Sequence, residues 1–194
     1  MMQLNKWAET GVELHFEEPL PAALCDNYGR EIFGRLLGAN PKSVVLMNAL
    51  TVNLNLLLIS FYQPTKERFK ILIERGAFPS DRVSLARHLR LCRYDPLKAV
   101  LEVSPRPNES YIRTEDIIEL IEKEGDTIAV ICLSGVQYYT GQLFDIETIT
   151  KAGQAKGCYV GWDLAHAVGN VQLYLDKWKV DFACWCNYKV CLDQ

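Results

Sequence analysis

The stretch TIAVICL at residues 127–133 constrains this chain more than any other. An uncharged apolar run of that length, rich in β-branched residues, reads as a strand buried on both faces. Such strands belong to parallel sheets with helices on either side. Comparable short runs recur at 44–47 (VVLM), 69–74 (FKILIE), 99–103 (AVLEV), 158–163 (CYVGWD) and 181–186 (DFACWC).

Helical patterns lie between them. Ile32, Phe33, Leu36 and Leu37 share one face of segment 28–37, which Gly38 closes. An apolar helix runs from about Thr51 to Tyr62 and stops before Pro64. Ser80 and Asp81 stand where a helix reaching Cys92 would be capped. After Thr114, residues Ile117, Ile118, Leu120 and Ile121 form a stripe that Gly125 ends. Asp145 opens a further helix that closes near Gly157. The alternation defines an α/β fold with a largely parallel sheet flanked by helices.

Composition narrows the function classes. At 194 residues the chain is one domain or a piece of a larger one. Its 49% hydrophobic and 23% charged residues exclude a disordered chain, and a net charge of −3 without a basic run argues against nucleic acid as a partner. Seven cysteines form an odd set with no C-x-x-C pair, and Cys132, Cys158 and Cys184 sit in apolar stretches, which indicates a reducing compartment. Residues 1–10 carry no apolar leader. Ser43–Thr65 is free of charge and long enough to span a bilayer. It places Asn48, Asn53 and Asn55 in the middle, however, which fits a strand, turn and buried helix better than a membrane span.

Ligands of open α/β sheets bind at the carboxyl ends of the strands. Leu50 and Thr51 follow the 44–47 run, and Phe78, Pro79, Ser80 and Asp81 follow 69–74. Ser134 follows 127–133, Asp163 closes 158–163 with His166 three residues on, and Tyr188 and Lys189 follow 181–186. Lys189 is either a solvated lysine or an amine in apolar surroundings, where the neutral form needed for Schiff-base chemistry is favoured. Asp163 either caps a turn over 164–168 or holds a heterocyclic nitrogen in its protonated form. Together they suggest a pyridoxal phosphate site, with Lys189 as the Schiff-base lysine and Asp163 against the ring nitrogen. The helix opening at Leu50–Thr51 offers backbone N–H groups and a hydroxyl to a phosphate. Phe78 either stacks on a ring or plugs the core, and His166 is either a ligand-facing or a satisfied core histidine. Cys184 and Cys186 share a strand face, but Asp and His at zinc-ligand spacing are missing, so no metal is assigned.

The stretches MNALTVNLNLLL (47–58), ERGAFPSD (74–81), SGVQYYTGQ (134–142), ITKAGQAKGCYVGWDLAHAVGNV (149–171) and VDFACWCNYK (180–189) resemble the kynureninase family, pyridoxal-phosphate-dependent hydrolases with the aspartate aminotransferase fold. The resemblance implies a fold type I large domain. It implies cofactor contacts at Leu50, Thr51, Phe78, Pro79, Ser80, Asp81, Ser134, Asp163, His166 and Tyr188, with Lys189 as the Schiff-base residue and Lys189, Asp163 and Tyr188 in catalysis. It also implies hydrolysis of L-kynurenine or 3-hydroxykynurenine to an anthranilate and L-alanine, in tryptophan breakdown towards NAD, by a cytoplasmic homodimer. The expected organisation is an N-terminal helical segment, 1–37, which matches poorly, and part of the large domain, 38–194. The C-terminal small domain and the arginine that holds the substrate carboxylate in the family are expected to be absent. Weak turnover and poor stability are therefore the expectation for the isolated chain. Two alternatives stay open: another enzyme of the same fold, such as a cysteine desulfurase, or a non-catalytic fragment that acts through a partner subunit.

Overall fold

The computed structural model describes residues 2–189; Cys191, the last of the seven cysteines, lies outside the described residues. Five strands form one parallel sheet: β1 Lys70–Glu74, β2 Val100–Val103, β3 Ile128–Ser134, β4 Tyr159–Asp163 and β5 Phe182–Cys184, in the order β2-β1-β3-β4-β5. Eight α-helices accompany them: α1 Met2–Thr10, α2 Arg30–Leu37, α3 Leu50–Phe61, α4 Pro79–Leu91, α5 Pro96–Ala99, α6 Thr114–Glu124, α7 Ile146–Ala155 and α8 Leu175–Trp178.

The alternation of side chains along the strands builds two cores. On one face, Leu72 of β1, Ile131 and Leu133 of β3, and Val160 and Trp162 of β4 pack with Ile117 and Ile121 of α6 and Ile146 and Ile149 of α7. On the other, Ile71, Ile73, Val130, Cys132 and Cys184 pack with Leu54 and Leu58 of α3 and Leu85 and Leu89 of α4. All seven residues of β3 are buried, as its uncharged sequence requires of the central strand. Close helix–sheet contact depends on Gly153 of α7, where an added Cβ would lie 2.6 Å from both Ile131 and Val160. The indole N–H of fully buried Trp162 donates to the Thr150 hydroxyl at 3.0 Å, so no buried donor is left over there.

Two expectations need correction, and a third is met in a different way. Segment 44–47 is not a strand: it runs extended from Val44 without a ladder partner, and only Val44 is buried, while Val45 and Met47 are exposed. An apolar run becomes a strand only beside a free strand edge, and a cavity separates this one from β5. Helix α4 starts at Pro79 with Phe78 in the capping position and no side-chain cap. Proline at the first helical position lacks the N–H that a cap would satisfy, which frees Asp81 to turn inward, where it is 5% exposed. Gly125 does end α6, but in a right-handed conformation rather than the left-handed one of Gly38. Its lack of a side chain serves close approach, since a Cβ there would lie 2.7 Å from the Lys156 side chain. Among the described residues, no helix is long and apolar enough to cross a membrane.

Candidate functional site

The carboxyl ends of β1, β3 and β4 carry Glu74, Ser134 and Asp163 side by side; Ser134 is in register with Asp163 across the β3–β4 pair. All three are buried, and Asp81 joins them from the first turn of α4. The Ser134 hydroxyl donates to the Glu74 carboxyl, and the Ser134 N–H approaches the same group at 3.4 Å. One Asp163 oxygen accepts the Ala165 N–H at 2.8 Å, so Asp163 does cap the turn over 164–168, and the Asp163 carboxyl is also hydrogen-bonded to that of Asp81.

Electrostatics at this edge is dominated by burial of like charges. Burial, with Asp163 beside it, pushes the Asp81 carboxyl up to about 8. Glu74 is raised too, by burial first, against the lowering effect of the Ser134 hydrogen bond. Among the described residues, none of the ion pairs involves Glu74, Asp81 or Asp163. Three carboxyl groups thus converge without a basic side chain bonded to any of them. Burial also raises the thiols of Cys132 and Cys184, which lie within reach of the same carboxyls.

Aromatic and cationic groups cover the cluster. Lys189 Nζ sits over the Phe78 ring, 5.4 Å from its centroid. Phe78 meets Tyr138 edge to face at 5.1 Å, and Tyr138 reaches the His166 ring at 6.5 Å. Burial lowers the His166 imidazole, helped by nearby Lys189 and opposed by Asp163. The Tyr188 phenol is raised, chiefly through its hydrogen bond with Cys186, and its ring is exposed.

The fold therefore brings Phe78, Asp81, Ser134, Asp163, His166, Tyr188 and Lys189 to one edge. Pro79 and Ser80 belong to the same turn, where the Ser80 hydroxyl donates to Asp81 at 3.2 Å. Leu50 and Thr51 open α3 at some remove. The capping residue Ala49 supplies no side-chain bond, and the first N–H groups of the helix have no partner within it. A cavity of about 650 Å³ extends from this helix start along the open side of β5. Of the expected site residues, Leu50 and Tyr188 line it; its walls otherwise consist mostly of the 43–49 segment, α3 and β5, so it is an apolar trough beside the polar cluster. Two members of the cluster, Glu74 and Tyr138, are not among the residues the sequence suggested. The strand-end rule points to Glu74, the last residue of FKILIE, but a terminal glutamate reads more readily as a solvated strand end.

Comparison with known proteins places this arrangement. The aminotransferase class-V family model matches residues 23–191, and the chain belongs to that family. Among curated relatives, the kynureninase of Homo sapiens is 54% identical over 187 residues, covering 96% of this chain and 40% of the relative. The kynureninase of Myxococcus xanthus is 51% identical, covering 96% and 44% respectively. The chain thus spans about 40% of the length of the curated relatives it matches. Solved structures share the fold: an apo cysteine desulfurase from Thermococcus onnurineus superposes with a TM-score of 0.72 at 14% identity, covering 97% of this chain and 46% of that one. An alanine–glyoxylate aminotransferase from Nostoc gives 0.65 at 19%, covering 88% and 42%.

Proposed function

We propose that this chain is the cofactor-binding part of a kynureninase, which uses pyridoxal 5'-phosphate to hydrolyse L-kynurenine to anthranilate and L-alanine, and 3-hydroxykynurenine to 3-hydroxyanthranilate. The observation that carries the reading is the convergence of three buried carboxyls, in no ion pair among the described residues, on the strand edge that also carries a lysine over an aromatic ring. Uncompensated buried carboxyls are costly; a cationic heterocycle offsets that cost. The donor set fits the cofactor: a carboxyl for the ring nitrogen (Asp163), an amine for the aldehyde (Lys189), a ring for its face (Phe78) and an uncapped helix start for the phosphate (Leu50 and Thr51).

When bound, pyridoxal phosphate would supply an electron-accepting ring next to the amino-acid α-carbon, which eases cleavage of the bond between the β-carbon and the ketone carbon. Asp163 would hold that ring's nitrogen protonated, since a carboxylate favours the cationic form of its neighbour. Lys189 would carry the cofactor and then act as a base. Asp81, Ser134 and His166 line the same edge, Pro79 and Ser80 shape its turn, and Tyr188 stands exposed beside Lys189 with its phenol hydrogen-bonded to Cys186. A homodimer, a cytoplasmic setting and a place in tryptophan breakdown towards NAD follow from the same reading, as does the division at residue 38. The identity of 48–54% to kynureninases favours it over a desulfurase, for which the fold alone speaks.

The test is spectral. The cofactor-loaded chain is expected to change its absorbance on addition of L-kynurenine and not on addition of L-cysteine. A response to cysteine alone would overturn the assignment. Asp163→Ala should weaken cofactor binding at least tenfold, the scale of one charge-assisted contact of about 1.5–3 kcal/mol.

A further inference from the structure

Glu74 ends β1 with 1% of its surface exposed, and its hydrogen-bonding side-chain partner is Ser134. A buried carboxyl kept only to fill space is a poor choice, because an apolar side chain fills it without the desolvation cost. The sheet order places Ser134 between Glu74 on β1 and Asp163 on β4. While the Ser134 hydroxyl donates to Glu74, its proton is committed away from the edge and its lone pairs face outward. The Asp163 carboxyl next to it likewise offers lone pairs. We propose that Glu74 is a positioning residue of the cofactor site: it fixes the Ser134 hydroxyl as an acceptor beside Asp163, a pairing that suits a protonated, cationic heterocycle.

This inference rests on the reading of the site as one for pyridoxal phosphate, and the experiment separates the two. Pyridoxal phosphate is titrated into the full 194-residue chain, into Glu74→Ala, Glu74→Gln and Ser134→Ala, and into the Glu74→Ala/Ser134→Ala pair. Affinity and the pH midpoint of the bound cofactor's absorbance are both read. Glu74→Ala and Ser134→Ala should each weaken binding about tenfold and move the midpoint to lower pH, since each removes an acceptor arrangement that favours the protonated ring. The double variant should bind no worse than Ser134→Ala alone, because Glu74 acts through that hydroxyl. In Glu74→Gln the amide oxygen still accepts, so binding should stay within about twofold of the parent. A purely structural role would lower the melting midpoint and leave the absorbance titration in place.

Parent-like binding by Glu74→Ala, or losses that add in the double variant, would overturn the inference. Should Glu74→Ala fail to fold, Glu74→Met, which fills a similar volume, replaces it in the same cycle with the same expected outcomes. A parent chain that takes up no pyridoxal phosphate overturns the reading of the site, and the inference falls with it.

Discussion

The two ends of the sheet hold their buried polar groups in opposite ways. At the amino ends of the strands, Arg68 donates to the carbonyls of Gly125 and Ile128 at 2.8 and 2.7 Å and to that of Lys156 at 2.8 Å. One guanidinium ties together the starts of β1, β3 and β4. At the carboxyl ends, Glu74, Asp81 and Asp163 repel one another and have no basic partner among the ion pairs of the described residues. The first end is closed, and its polar groups stabilise the fold. The second is open, and its groups are arranged for something the chain itself does not supply. Buried carboxyls that gather without a basic partner point to function rather than to fold stability.

Breaking the closed end should have the largest effect on stability. Arg68→Ala leaves three carbonyls without their donor, and at about 1–3 kcal/mol for each unsatisfied group, eased by water entry, a loss of about 4 kcal/mol is expected. Urea denaturation measures it. Cofactor affinity should stay within about twofold, since the arginine lies at the far end of the strands; a large affinity loss in a folded variant would erase the distinction between the ends.

The open end should reveal itself through pH. Asp81 is held up to about 8, above its unfolded value, so the folded chain binds the extra proton between the two values. The associated stability is present below the unfolded pKa, and it is lost as pH rises through about 8. Asp81→Asn removes this dependence. Between about pH 4 and 9 the parent should lose about 2–3 kcal/mol relative to the variant, less than the full shift at about 1.36 kcal/mol per unit allows because water entering the edge relieves part of the burial cost. Parallel stability curves for the two chains would contradict the picture of a strained carboxyl cluster.

A smaller change is expected from Phe78→Leu. The ring's contacts with Tyr138 and Lys189 are worth about 0.5–1.5 kcal/mol, so cofactor affinity should fall severalfold without loss of fold. Fluorescence titration reads this directly, and unchanged affinity would make the ring a core plug.

The sheet and part of its carboxyl edge were legible in the sequence, but the contrast between the two ends was not. The runs from 69 to 186 appear as strands within a residue or two, because a two-faced buried strand admits little but apolar residues. The strand-end rule then led to Ser134, Asp163 and Lys189. Periodicity failed at 44–47, where apolar content shows that a segment seeks burial but not whether a neighbouring edge pairs with it. It failed at Asp81, which looks like any capping residue until Pro79 takes the helix start. Arg68 and Glu74 escaped notice for a common reason. Each is a charged residue flanking an apolar run, the pattern of a solvated strand end, and the groups that bond them come from residues about 60 positions away.

The central claim is that the carboxyl edge of the sheet is a pyridoxal phosphate site built around Lys189. It is tested most directly by loading the chain with the cofactor, reducing with borohydride and mapping the modified peptide. The account predicts a pyridoxyl group on Lys189, and no stable label after Lys189→Ala. A label on any other lysine, or none on the loaded parent chain, would contradict it.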